Sequence, residues 1–353
     1  MNKLQRGMMS SHGWLVLLTI CGSCRADRPA TTPPWRDASP HTVQMVTIAQ
    51  GTSLEVLDWG GTGRPLVLLA GLHNTAHVFD DFAPSFTDSF HVYAITRRGF
   101  GRSSQPPDSD AATLVSDLRI VLDSLRLSRV ILVGHSIAGE ELTGFAVSYP
   151  DRCEALIYLD AAYDRTGSSE VLKALAKLPW PPRPPMTSAD SASLAAVKAY
   201  YERTDGVRMT EGDARAVFRF DSAGRFVFED SLAKRMIGRL VSHLFSPPYQ
   251  RLTCPSLAIY AVPDSPGALV PWYTLLDSAG RAQADRLLPL SQAWSRASRT
   301  QYRQNAPLAH MVEIHNAHHY VFESNRAQTL SAMRTFLLTP APGDARATRK
   351  HRP

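Results

Sequence analysis

The stretch Val130-Ile-Leu-Val-Gly134-His135-Ser136-Ile137-Ala138-Gly139 constrains the fold of this chain more than any other. Four apolar residues without a polar break suit a strand buried on both faces. They run into small-x-Ser-x-small and then a segment able to form a helix. So tight a strand-to-helix turn leaves no room for side chains two before and two after the serine, which is why Gly134 and Ala138 must be small. Ser136 then stands at a helix N-terminus, where the Ile137 amide and the helix dipole favour a developing negative charge. An ordinary strand-to-helix turn also uses Gly and Ser, so the rest of the chain has to decide.

Short apolar runs recur with helical patterns between them, the alternation a parallel, two-sided sheet requires. Residues 43–49 and 54–59 read as an opening hairpin, and 65–70, 91–96, 130–133, 155–159, 257–262 and 311–314 as interior strands. Apolar residues at helical spacing in 113–125 predict a helix, as do 142–149 and 327–338. The alternation breaks between 164 and 248, where five prolines from Pro179 to Pro185 force an extended segment flanked by amphipathic stretches at 194–201 and 232–244. A helical cap inserted between two sheet strands fits this pattern.

On these residues the chain resembles the α/β-hydrolase family, and further matches fall in the family's order. Leu68-Leu69-Ala70-Gly71-Leu72 is similar to the loop after the third strand, where the Leu72 amide would complete an oxyanion hole with that of Ile137. Arg98-Gly-Phe-Gly-Arg-Ser-Ser104 resembles the Gly-rich turn after the fourth strand. Tyr260-Ala-Val-Pro-Asp264 resembles the end of the acid-bearing strand, and Asn316-Ala-His318-His319-Tyr-Val-Phe-Glu323 the loop with the catalytic histidine. The resemblance spans about residues 43–338. It implies an α/β-hydrolase fold: a mostly parallel central sheet, helices on both faces, and a helical cap after the sixth strand. The chain departs from the family at Ala70, where His is usual, at Ala138, where Gly is commoner, and at His318, which occupies a usual Gly position.

The resemblance implies a triad of Ser136, Asp264 and His319. A serine hydroxyl needs a base within hydrogen-bond reach, and His319 would take its proton while Asp264 fixed the imidazole tautomer. His318 is the alternative base. Asp160, at the end of the sixth strand, is the alternative acid. Glu140 and Glu141 read as charges favoured in a first helical turn. The expected reaction is cleavage of a carboxylic ester of a small molecule through an acyl-enzyme on Ser136. Amide, thioester or lactone hydrolysis with the same triad is the alternative, as is a non-catalytic small-molecule binding protein on the same fold. Serine at position 136 argues against the family's epoxide hydrolases and dehalogenases, which use Asp there.

No cofactor is implied, and the histidines at 310, 315, 318 and 319 lack the carboxylate partner and spacing of familiar zinc motifs, so no metal is expected. Thirty-eight Lys plus Arg against 32 Asp plus Glu leave only +6, spread along the chain except for a basic run after residue 345, and no nucleic-acid partner is expected. Hydrophobic residues at 44% exclude a disordered chain and leave ample material for a core.

The N-terminus carries Lys3 and Arg6, an apolar run at 14–20, then Cys21, Gly22, Ser23 and Cys24, the parts of a secretory signal too short to span a bilayer. The expected organisation is a signal peptide at 1–26, a flexible leader at 27–42, a core at 43–163 and 249–338, a cap at 164–248, and a basic tail at 339–353. Export, periplasmic or extracellular, follows. Cleavage before Cys24 would instead leave that residue as a lipid anchor. Cys153 and Cys254 each precede a strand, as two free thiols or a disulfide.

Overall fold

The computed structural model describes residues 35–105, 111–166, 169–229 and 244–339. The expected signal, the first half of the leader (27–34), cap residues 167–168 and 230–243 and all but the first residue of the basic tail lie outside them.

The strands are β1 (Thr42–Ala49), β2 (Thr52–Gly60), β3 (Arg64–Leu69), β4 (Phe90–Thr96), β5 (Val130–His135), β6 (Cys153–Leu159), β7 (Phe218–Phe220), β8 (Phe226–Glu229), β9 (Ser256–Val262) and β10 (Ala309–His315). The described α-helices are α1 (Ala111–Ser124), α2 (Ala138–Ser148), α3 (Glu170–Lys177), α4 (Leu194–Asp205), α5 (Glu211–Val217), α6 (Pro266–Leu269), α7 (Ser278–Asn305), α8 (Val321–Ser324) and α9 (Arg326–Leu338).

Eight strands form one sheet in the order β1-β2-β4-β3-β5-β6-β9-β10, and β7 and β8 pair separately. The β1–β2 and β2–β4 pairs are antiparallel; from β4 through β3, β5, β6 and β9 to β10 every pair is parallel. All six residues of β5 and all seven of β9 are buried, as strands covered on both faces must be.

Alternation along these strands divides the core into two layers. Val67, Leu69, Val130 and Leu132 pack into one layer with Leu118 and Phe145. Leu66, Leu68, Ile131 and Val133 pack into the other with Phe79, Phe322 and Met333. At the edge, only Val46 and Ile48 of β1 are buried.

Several elements go beyond the sequence expectation, among them α3, α5, the β7–β8 hairpin and the 28-residue α7. The elements between β6 and β9 have their own small core of Val197, Ala214 and Phe218. They also dock through polar contacts. Buried Asp213 of α5 accepts hydrogen bonds from the Thr75 amide (2.8 Å), the Thr75 hydroxyl (2.7 Å) and Asn74 Nδ2 (2.8 Å), all in the loop after β3.

Candidate active site

Strand order reverses at β3, with β4 added on one side and β5 on the other, which opens a crevice at the C-terminal ends of these parallel strands, the usual place for a site in such a sheet. Ser136 follows β5 with φ +55°, a left-handed conformation rare for a residue with a side chain. The sharp turn raises its hydroxyl above the sheet. Neighbouring positions must be small, as the sequence required: a Cβ on Gly134 would meet Leu142 Cδ1 at 2.5 Å and Ala138 Cβ at 3.0 Å.

His319 approaches from the loop after β10. Its Nε2 lies 2.9 Å from Ser136 Oγ and its Nδ1 2.6 Å from Asp160 Oδ2. Asp160 directly follows β6 with φ +46°, and its other oxygen accepts from the Tyr163 hydroxyl (2.5 Å) and the Ala261 amide (3.0 Å). The carboxylate is thus fixed by two donors besides the imidazole. Its side chain is 8% exposed, whereas that of His319 is 43% exposed and open to a substrate.

Asp264, the acid implied by the resemblance, is not at His319. Its carboxylate lies 3.0 Å from His315 Nδ1, and its side chain is 42% exposed. Register explains the difference. Val262 at the end of β9 pairs with His315 at the end of β10, so an acid two residues past Val262 meets His315 first. Asp160 directly follows the strand next to β5, on the side to which the histidine loop folds back.

His318 does not touch Ser136. Its Nδ1 accepts from the Tyr320 amide at 3.3 Å, and burial together with the adjacent His319 pushes its pKa down to about 4. His135 is fully buried, which with His319 nearby drives its pKa well below the imidazole range. The neutral ring donates from Nε2 to the His319 carbonyl at 3.1 Å and so anchors the loop.

The two first-turn glutamates differ from their sequence reading. Glu141 is buried against Arg97, which donates from Nε at 2.8 Å and from Nη2. Arg97 also donates to the carbonyls of Ala70 (2.7 Å) and Gly71 (3.1 Å). Because a trans peptide points its C=O and the following N–H in opposite directions, a Gly71 carbonyl held by Arg97 turns the Leu72 amide away from that guanidinium. Glu140 is buried with both oxygens lacking a hydrogen-bond partner, and burial raises its pKa to about 7.

A cavity of about 430 Å³ opens over His319. Phe100, Tyr201, Phe218 and Trp272 line it. Asn74 joins the walls: its Oδ1 accepts from the Tyr320 hydroxyl (2.8 Å) while its Nδ2 donates to Asp213. One side chain therefore links the histidine loop, the β3 loop and α5.

The sequence is similar to sn-1-specific diacylglycerol lipase ABHD11 of Danio rerio, 30% identical over 165 residues, which are 46% of this chain and 49% of the relative. It is also similar to Epoxide hydrolase 4 of Mus musculus, 30% identical over 171 residues and 45% of each. The chain spans about half or less of the curated relatives it matches. Among solved structures, E-2-(Acetamidomethylene)succinate Hydrolase superposes with a TM-score of 0.58 at 23% identity, covering 85% of this chain and 100% of that one. A marine microorganism esterase gives 0.55 at 17% identity, covering 84% and 100%. These structures share the fold. A sequence profile of the alpha/beta hydrolase family matches residues 66–332, three-quarters of the chain, and with the sheet order above it establishes that this protein belongs to that family.

Proposed function

We propose that the protein is a serine hydrolase that cleaves a carboxylic ester, with Ser136 as nucleophile, His319 as base and Asp160 as the residue that orients the imidazole. The continuous contact Ser136 Oγ to His319 Nε2 and His319 Nδ1 to Asp160 Oδ2 carries this reading. As Ser136 Oγ attacks the ester carbonyl, its proton passes to His319 Nε2, and Asp160 stabilises the imidazolium. The amides of Leu72 and Ile137 face the oxyanion. Collapse breaks the bond to the alcohol, which leaves with the proton from His319. Water, deprotonated by the same imidazole, then attacks the acyl-enzyme and releases the acid. The predominantly apolar walls of the cavity suit an acyl or aryl group.

The test is labelling of the full chain with a fluorophosphonate, followed by peptide mass spectrometry and turnover of a p-nitrophenyl ester series. A single adduct on Ser136, absent in His319→Ala and present in His318→Ala, is expected. A folded protein that neither labels nor turns over any ester would defeat the proposal in favour of a binding protein. We also propose export on the N-terminal segment, which N-terminal sequencing of the protein recovered outside the cytoplasm tests.

A further inference from the structure

Away from the triad, four side chains with metal-ligating atoms converge where the start of β1 meets the segment after β3. Asp37 and His41 come from the approach to β1, and His77 and Asp80 from the 3-10 helix Ala76–Phe79 and its C-cap. One ligand atom from each lies within 4.8 Å of all the others. His41 Nε2 is 3.4 Å from Asp37 Oδ2 and 3.3 Å from Asp80 Oδ1, and His77 Nδ1 is 3.2 Å from both Asp37 Oδ2 and Asp80 Oδ2. A tetrahedron with metal–ligand bonds of about 2.0–2.1 Å has edges of about 3.3–3.4 Å. The two separations from Asp37 Oδ2 to the imidazole nitrogens are close to that length, and Asp80 meets His41 through Oδ1 and His77 through Oδ2 at similar distances.

The atoms also lack other partners. Asp37 Oδ2, His41 Nε2 and Asp80 Oδ1 are buried without a hydrogen bond, and the His41 and Asp80 side chains are only 1% and 6% exposed. Such groups are costly to bury unsatisfied. Around the cluster, Asp37 Oδ1 accepts from the Ser39 amide at 3.0 Å and His77 Nε2 faces Glu55 Oε1 at 3.8 Å, with the other Glu55 oxygen held by Thr96, while His41 Nδ1 is buried without a hydrogen bond. A carboxylate behind a ligating imidazole is a recurrent second layer of metal sites. Of the carboxylates of Asp37, Asp80 and Glu55, that of Glu55 has a guanidinium nearby, Arg102 at 3.8 Å. With neutral imidazoles the excess is two negative charges.

We propose that Asp37, His41, His77 and Asp80 bind a divalent transition-metal ion, zinc by the chemistry of two imidazole nitrogens and two carboxylate oxygens. Calcium or magnesium would need six or more oxygens, which this set does not offer. Four protein ligands fill a tetrahedron, so the ion is structural. It ties the start of β1 to the segment that carries Leu72 five residues before His77. It also lies beneath α5: a Cβ on Gly212 would come within 2.6 Å of Asp80 Oδ2 and 2.7 Å of His77 Nδ1, and the Thr210 hydroxyl donates to the His77 carbonyl at 2.7 Å.

The experiment uses the untagged full chain, purified from zinc-supplemented medium. Elemental analysis should find one zinc per chain. Stripping with a chelator should lower the melting temperature, and added zinc should restore it. Cobalt(II) added to the stripped protein should give the visible bands of a tetrahedral site without thiolate. His41→Gln and the more exposed Asp37→Asn should each weaken binding by about 100-fold or more, given that losing an outer partner alone costs 10- to 100-fold. Labelling of Ser136 in both variants reports that they still fold. A metal-free protein whose melting is indifferent to chelator and to zinc would overturn the proposal and mean that protons on the two imidazoles neutralise the cluster. Unchanged zinc affinity and cobalt spectrum in both folded variants would overturn it too, placing the ion elsewhere.

Discussion

His319 Nδ1 and Asp160 Oδ2 lie 2.6 Å apart across 159 residues of sequence, whereas Asp264, at the neighbouring strand end, contacts His315; under the proposed mechanism Asp160 is therefore the acid. Asp160→Asn should lower kcat by about 10⁴-fold, because the amide favours the wrong imidazole tautomer. Asp264→Asn should leave ester turnover within about threefold of the parent. Steady-state kinetics on both variants decides the matter; the reverse ranking would return the role to Asp264.

Arg97 is a positioning residue for the loop after β3. Lysine retains its charge but cannot span Glu141 and the carbonyls of Ala70 and Gly71 at once. Arg97→Lys should reduce kcat by about 10- to 100-fold with KM little changed, since a small displacement of an oxyanion donor acts mainly on the transition state. Parallel changes in kcat and melting temperature across further Arg97 variants, with KM rising, would indicate a purely structural role.

Glu140 makes stability depend on pH. Its folded pKa of about 7 exceeds its ordinary value of 4.5, so the folded state binds the proton more tightly than the unfolded one. The contribution is fully present below about pH 4.5 and is lost as pH rises through 7, at a cost near 3 kcal/mol. Glu140→Gln should flatten this loss and be more stable than the parent at pH 8. Denaturant titrations at pH 5 and pH 8 measure both; equal pH slopes in parent and variant would refute the assignment.

Cys153 and Cys254 are free and buried, with sulfurs 3.2 Å apart. Mild oxidation should join them with the loss of two hydrogens to the oxidant. Closing a loop of this length stabilises by about 5 kcal/mol in the chain-entropy account. Peptide mapping after diamide treatment should recover one linked Cys153–Cys254 peptide and a raised melting temperature. Recovery of both thiols free to alkylate after such treatment would count against it.

The sheet was legible because β3, β5, β6 and β9 are unbroken apolar runs, and the nucleophile because the turn at Ser136 admits only small neighbours. Helix α7 was not. Its buried face is Gly280, Ala284, Leu287, Ser291, Ser295, Ser298, Arg299 and Tyr302, with Pro289 within it, so it shows helical spacing without hydrophobicity. The acid was ambiguous because Asp160 and Asp264 both follow parallel strands, and only the return path of the histidine loop separates them. The four residues proposed to hold a metal escaped notice because attention to histidines clustered in sequence favours 310–319. The converging pairs, Asp37 with His41 and His77 with Asp80, come from segments some forty residues apart.

Asn74, hydrogen-bonded to Tyr320 on one side and Asp213 on the other, has a consequence for anyone who would rebuild this enzyme. The insertion is not a detachable module. Grafting a foreign lid in its place would slacken the segment that holds His319 unless the graft supplied an acceptor where Asp213 stands. Substrate range and catalytic competence are therefore inherited together, and a library that varies the lid should keep α5 as part of the chassis.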